Sequence, residues 1–115
     1  MSDASCLFCK IVRGEIPVLR LAENDHALAF PDNKPGAPVH VLIVPKEHLA
    51  SLPDAADRPE LVGQLHALAV RVAREKGLDK TGYRTVFNVG EDAGQSVFHL
   101  HLHLLGGRAL GWPPG

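Results

Sequence analysis

The hydrophobic pattern predicts one long helix in the middle of the chain. Over 59–76 the apolar residues recur at intervals of three and four, which places them on a single helix face. Pro59 suits the first turn, where no backbone N–H is needed, and Gly77 suits the position that follows the last turn. A shorter helix is predicted over 7–13, closed by Gly14.

Five short runs of β-branched and apolar residues, each bounded by turn-forming residues, are predicted to be strands. They span 18–23, 26–30, 39–44, 83–89 and 97–105. Because the links are short and only one long helix interrupts the strands, the order favours the α+β class. We expect one domain over 1–115, built as a five-stranded antiparallel sheet with one long helix and a short N-terminal helix.

The last predicted strand carries a run of histidines. Residues 98–105 alternate strictly between apolar and histidine positions up to His103, and this period of two is that of a strand. His99, His101 and His103 are therefore expected to share one face, while Phe98 and the alternate leucines pack into the core. Imidazole titrates near neutral pH and can act as nucleophile, acid, base or metal ligand. A solvated polar face and a histidine-only metal site remain as alternatives.

Composition and charge narrow the function classes. The chain has 115 residues and a formal net charge of −1, which gives no general attraction to nucleic acid or to an anionic membrane. No run approaches the ~20 apolar residues of a membrane span. The N-terminus lacks a basic segment followed by an apolar one. We therefore expect a cytoplasmic protein with no nucleic-acid or membrane partner, whose phosphate affinity, if any, comes from a local site.

The only two cysteines, Cys6 and Cys9, form a Cys-x-x-Cys pair. A redox function for this spacing requires a βαβ context, which the predicted elements do not provide. A zinc site requires two further ligands. Two free thiols are the third possibility, and the spacing alone does not decide among them.

The histidine run resembles the signature of the histidine triad (HIT) family, His-φ-His-φ-His-φ-φ with φ apolar. The chain is most similar to the Hint branch, the histidine triad nucleotide-binding proteins, and the similarity extends over nearly its whole length. Matching segments lie at 8–11, 15–17, 37–40, 45–48, 94–96, 106–108 and 112–115.

The resemblance implies a purine nucleoside phosphoramidase: a nucleotide-binding hydrolase that cleaves nucleoside 5′-phosphoramidate-type P–N bonds. It would release a nucleoside monophosphate, AMP preferred, through a covalent nucleotidyl-histidine intermediate. His101 matches the family nucleophile, and His103 matches the histidine that contacts the phosphate and helps the leaving group. His40 matches a further histidine that supports the triad, and Ser96 is placed to donate to the leaving group or to a phosphate oxygen.

The resemblance also implies a nucleotide-binding set. Asp32 matches the ribose-binding acid, and a carboxylate can accept from both ribose hydroxyls. Pro31 and Asn33 stand where Hint members commonly carry His and Ile, so one wall of the pocket becomes polar and the base preference is left open. The full expected set is Phe8, Ile11, Ile16, Phe30, Asp32, Asn33, Asn88, Gly94, Gln95, Ser96, His101, His103 and Trp112.

For the cysteines, the resemblance implies one structural zinc per chain, held by Cys6, Cys9, His48 and His99. No catalytic metal is expected, so the reaction would need no Mg²⁺. The Hint branch also implies a homodimer whose two sheets are joined, with the C-terminal segment near the partner's active site.

Two other functions remain in view. The first is a dinucleoside polyphosphate hydrolase of the same family, although His103 argues against that branch, which generally carries Gln there. The second is a nucleotide-binding regulatory scaffold whose hydrolysis is incidental.

Overall fold

The computed structural model describes residues 3–115. The expected one-domain range, 1–115, includes Met1 and Ser2, which lie outside the described residues. The helices are α1 (Leu7–Val12) and α2 (Pro59–Glu75), and a 3₁₀ turn lies at Leu52–Ala55. The strands are β1 (Ala22–Glu23), β2 (Ala27–Pro31), β3 (Val39–Pro45), β4 (Tyr83–Phe87) and β5 (Leu102–Gly106).

The strands form one antiparallel sheet in the order β1-β2-β3-β5-β4. The predicted class, a five-stranded antiparallel sheet with one long and one short helix, is confirmed. Continuation of the sheet across a homodimer stays a prediction. Among the helices of the described chain, none has the length and apolarity needed to cross a membrane.

Helix α2 covers one face of the sheet with the apolar stripe that the sequence predicts. Leu65 and Leu68 lie on this stripe and are buried against β2, β3 and β5. The helix ends one residue before the predicted boundary. Gly77 follows with a φ of +75°, a left-handed conformation that glycine adopts without steric cost and that ends helices.

The opposite face of the sheet packs against α1. Phe8 and Ile11 of this helix contact a second apolar cluster that includes Leu42 and Val44 of β3. Because side chains alternate along a strand, Val41 and Ile43 face α2 while His40 lies on the α1 face beside Leu42. This second face carries the functional site.

The predicted last strand is wrong in its first half, because β5 begins at Leu102 and not at residue 97. Its neighbour β3 ends at Pro45, which has no N–H to extend the ladder beyond the pair Ile43–Leu102. The N–H of Leu100 donates instead to the carbonyl of Leu49 at 2.6 Å. The chain bends here, and Phe98 is 60% exposed, whereas the strict alternation predicted that it would be buried.

Two other strands are shorter than predicted. The first covers only Ala22–Glu23, since the preceding Val18 and Leu19 line a cavity and do not pair with β2. The fourth ends at Phe87, because Gly90 with a φ of +78° turns the chain into a loop.

The core between α2 and the sheet is the main apolar cluster, and Leu65 is fully buried in it. Replacing Leu65 with Ala removes packed methyl groups and leaves a cavity, so we expect a loss of about 2–5 kcal/mol in the free energy of unfolding. Urea denaturation followed by circular dichroism measures it. Leu19→Ala is the control, because Leu19 is 68% exposed and should cost under about 0.5 kcal/mol. Equal losses in the two variants would contradict this placement of the core.

Candidate active site and metal cluster

A cavity of about 700 Å³ opens on the α1 face of the sheet. One part of its wall is apolar and comes from α1, the segment after it and β2. The other part is polar and comes from the loop after β2 and from the segment leading into β5. The lining residues are Leu7, Phe8, Ile11, Ile16, Pro17, Val18, Leu19, Phe30, Pro31, Asp32, Asn33, Lys34, Leu42, Ser96, Val97, His101 and His103.

Most of the expected nucleotide-binding residues line this cavity. They are Phe8, Ile11, Ile16, Phe30, Asp32, Asn33, Ser96, His101 and His103. The cavity thus combines an apolar wall, a carboxylate, a hydroxyl and two imidazoles. The apolar wall suits a nucleobase, the carboxylate suits ribose hydroxyls, and the hydroxyl and imidazoles suit a phosphate. The individual roles of the residues stay predictions.

Four expected residues lie outside the lining. The Gln95 side chain is buried and donates to the carbonyls of Ala50 and Val97, so it holds the loop before the histidines. Gly94 lies on the same loop, with a φ of +78°. Asn88 lies beside the cavity, its Nδ2 3.4 Å from Nε2 of His103.

Trp112, the fourth of these residues, is 81% exposed, and the guanidinium of Arg84 stacks over its ring at 5.7 Å. The expected contact of this tail with a partner's site stays a prediction.

Several lining residues were not predicted from the sequence. Val18 and Leu19 were predicted to lie in a strand, where successive side chains point to opposite faces of the sheet, so the two would not be expected to line the same cavity. Lys34 lies in a proline-containing loop, where nothing in the local pattern marks it as a cavity residue. Leu7 is 45% exposed at the start of α1, and nothing in the sequence pattern separates it from the core positions of that helix.

His101 presents an unprotonated nitrogen when its ring is neutral. Its Nδ1 lies 2.7 Å from the carbonyl oxygen of His99. A carbonyl can only accept, so Nδ1 carries the ring proton and the lone pair is on Nε2. Burial lowers the pKa of His101, which favours this neutral form. Phe8 packs edge-on against the ring, with centroids 5.1 Å apart. The ring is therefore oriented and available as a nucleophile.

His103 lies next to His101, with ring centroids 5.0 Å apart. Its Nδ1 is 2.9 Å from Nε2 of His40, which reaches across from β3. The same nitrogen of His40 is 3.4 Å from the carboxylate of Asp32. Burial, reinforced by the neighbouring His101 and His40, lowers the pKa of His103 to about 4. His103 is therefore neutral at physiological pH.

A second cluster joins Cys6 and Cys9 to His48 and His99, and their ligand atoms all lie within 4.8 Å of one another. Nε2 of His99 donates to the carbonyl of Pro45 at 2.8 Å, so its unprotonated Nδ1 faces the cysteines. This Nδ1 is 3.3 Å from Sγ of Cys6, 3.5 Å from Sγ of Cys9 and 3.2 Å from Nδ1 of His48.

These distances fit a zinc site. A tetrahedral zinc with ordinary Zn–S and Zn–N bonds separates its ligand atoms by about 3.3–3.8 Å. Burial lowers the pKa of His99 to about 4, which keeps the ring in the neutral form that metals bind. Cys6, Cys9, His48 and His99 can therefore bind zinc.

The three histidines of the run lie on the α1 side of the sheet, while Leu100, Leu102 and Leu104 lie in the core cluster beneath α2, and the histidines divide between two sites. His99 contributes to the cysteine cluster and does not line the cavity, whereas His101 and His103 do.

We expect His103 to stay neutral down to about pH 4, because desolvation penalises its charged form. Titration of the histidine ring signals by NMR in the ligand-free protein measures this directly. His103→Gln identifies the signal by its disappearance. A midpoint near the ordinary histidine value of about 6.5 would contradict the buried placement.

Comparison with known proteins agrees with this geometry. The family model for the HIT domain matches residues 13–110. The 14 kDa zinc-binding protein of Zea mays is 45% identical over 118 residues, which cover 100% of this chain and 91% of that protein. Adenylylsulfatase HINT1 of Arabidopsis thaliana is 44% identical, over 99% of this chain and 79% of that protein.

The fold has close matches among solved structures. A HIT family hydrolase from Legionella pneumophila superposes with a TM-score of 0.93 and is 50% identical, over 96% of this chain and 100% of that chain. From the match over most of its length and from these relatives, we conclude that this chain belongs to the HIT domain family.

Proposed function

We propose that the protein hydrolyses nucleoside 5′-phosphoramidate-type substrates and releases a nucleoside monophosphate, with AMP preferred. The observation that carries the proposal is the unprotonated Nε2 of a buried His101 at a cavity that also holds Ser96 and His103. A neutral, oriented imidazole is the form that attacks phosphorus.

The reaction divides into two displacements at the α-phosphorus. Nε2 of His101 attacks, the Nε2–P bond forms, the P–N bond breaks, and the amine leaves after taking up a proton from solvent. Water then attacks the same phosphorus and gives one proton back to solvent, the Nε2–P bond breaks, and the nucleoside monophosphate is released with His101 restored. The His99 carbonyl that accepts from Nδ1 stabilises the positive charge that the ring carries in the intermediate.

The surrounding side chains supply binding and orientation. His103 and Ser96 lie at the polar part of the cavity, where they can donate to phosphate oxygens or to the leaving group. One oxygen of Asp32 accepts the N–H of Lys34 at 2.8 Å, which fixes the carboxylate in place. Its remaining lone pairs can accept from ribose hydroxyls. The apolar wall around Phe8 and Ile11 suits a base.

Adenylyl sulfate is a second candidate substrate, because one relative is named an adenylylsulfatase. The same attack at the α-phosphorus would expel sulfate in place of an amine. The two candidates differ only in the leaving group, so the same variants test both.

We also propose that the cysteine cluster holds one structural zinc per chain. Four protein ligands fill a tetrahedral site and leave no position for water or substrate. The metal would add folding free energy by joining the start of α1 to the segment that precedes His101. The homodimer expected from the Hint branch would complete the assembly, and the C-terminal tail would approach the partner's cavity.

His101→Ala tests the nucleophile. We expect wild type to convert adenosine 5′-phosphoramidate to AMP, and the variant to lose ~10⁴-fold or more in kcat, as when a covalent nucleophile is removed. AMP is quantified by chromatography. His26→Ala is the matched control, because His26 is exposed and does not line the cavity.

Absence of turnover by a folded wild type that binds AMP would overturn the enzyme proposal and favour the regulatory scaffold. A comparable loss in both variants would show that the effect is not specific to His101.

Elemental analysis tests the zinc. Protein purified without added metal should contain about one zinc per chain, and His48→Ala should hold less of it, because the site loses one of its four protein ligands. Its melting temperature should fall with the metal content, since metal binding contributes to folding. His26→Ala again serves as control. A folded wild type with near-zero zinc would refute the proposal.

A further inference from the structure

A chain of hydrogen bonds connects Gly36, in the loop before β3, to His40 and then to His103. The N–H of Gly36 donates to Nδ1 of His40 at 2.8 Å. Nε2 of His40 lies 2.9 Å from Nδ1 of His103. The carbonyl of Gly36 accepts from Nη2 of Arg108 at 3.0 Å, so both the N–H and the carbonyl of Gly36 are hydrogen-bonded.

The first bond in this chain determines the direction of the others. A peptide N–H can only donate, so Nδ1 of His40 has to be the unprotonated nitrogen. A neutral imidazole has a single ring proton, which is then on Nε2. From there it is donated to His103 at 2.9 Å, with the carboxylate of Asp32 as a more distant acceptor at 3.4 Å.

The same logic extends to His103. Because its Nδ1 accepts a hydrogen bond from His40, its own proton is on Nε2, which lies 3.4 Å from Nδ2 of Asn88. An amide NH₂ can only donate, so this tautomer requires the Asn88 amide to be turned with Oδ1 toward Nε2. A ring in this tautomer presents an N–H donor to an anion. The opposite tautomer would present a lone pair, which repels a phosphate oxygen.

Two other roles of His40 conflict with this geometry. Asp32, His40 and His103 bring their ligand atoms within 4.8 Å of one another, as a metal site would. However, a metal on Nε2 of His40 would require the ring proton on Nδ1, which would then point at the N–H of Gly36. A proton shuttle that loads both ring nitrogens of His40 meets the same obstacle.

We propose that the peptide N–H of Gly36 is a positioning group: it locks His40 as a fixed hydrogen-bond donor, and His40 in turn locks His103 with its proton on Nε2. His40 is then a neutral orienting residue and not an acid or base. The tautomers follow from geometry alone, and only their kinetic consequence rests on the proposed hydrolase function.

The chain offers a matched pair of variants at this position. An added Cβ at Gly36 would meet Nδ1 of His40 at 3.7 Å, an ordinary contact, so Gly36→Ala keeps the N–H without a clash. Gly36→Pro removes the N–H. If Gly36→Pro does not fold, His40→Gln and His40→Leu form a second pair, since Gln can donate from its amide but cannot carry a titrating proton.

The test is nitrogen NMR of histidine-labelled, ligand-free protein, in which the two ring nitrogens of each histidine report which one is protonated. We expect His40 and His103 both to be protonated on Nε2 in wild type and in Gly36→Ala. In Gly36→Pro, His40 should show a mixture of tautomers. The kcat for adenosine 5′-phosphoramidate should fall at least ~10-fold relative to Gly36→Ala, because a wrong tautomer next to a nucleophile is costly.

Three results would overturn the proposal: a wild-type His40 protonated on Nδ1, identical His40 spectra for Gly36→Ala and Gly36→Pro, or equal activity losses in His40→Gln and His40→Leu. Failure of the proposed function is distinguishable from these. An inactive wild type with the expected tautomers, lost in Gly36→Pro, would refute the hydrolase and support the positioning role.

Discussion

The site depends on Pro45, the residue that ends β3. Because it has no N–H, the ladder between β3 and β5 stops at the pair Ile43–Leu102, and the chain before Leu102 bends away from the sheet. The carbonyl of Pro45 then accepts the Nε2 proton of His99. Pro45 thus ends the pairing of β3 with β5 and also orients the ring of His99.

Backbone groups fix the chemistry of each histidine at this end of the sheet. Carbonyl oxygens accept hydrogen bonds from the ring N–H groups of His99 and His101, which leaves lone pairs on Nδ1 and Nε2, respectively. At His40 a peptide N–H occupies Nδ1 and leaves a proton on the other nitrogen. Neighbouring imidazoles are therefore suited to the proposed roles of metal ligand, nucleophile and donor without any difference in residue type. Their environment, and not their identity, determines what they do.

Much of this fold could be predicted from the sequence, because α2 carries a helical periodicity and β3 a continuous run of β-branched and apolar residues, and the packing of each element explains its pattern. The cavity residues at His101 and Asp32 were also predictable, through the family resemblance. The bend at 97–99 was not predicted, because an alternating pattern shows which side chains are apolar but not where a neighbouring strand stops pairing. Phe98 is exposed for the same reason. The Gly36 contact depends on a loop conformation that no local pattern encodes.

His99 connects the cysteine cluster to the cavity, because its side chain belongs to the cluster and its carbonyl contacts His101. Its side chain belongs to the cluster with Cys6 and Cys9, while its own carbonyl accepts the Nδ1 proton of His101. Any constraint that fixes the His99 ring therefore also fixes the peptide that orients the His101 ring. The cluster is fully enclosed at Cys9 and His99, so it can transmit rigidity without contacting substrate. With His101 as the proposed nucleophile, a metal held two residues earlier would act on catalysis through geometry, because ring orientation decides whether Nε2 can reach the phosphorus.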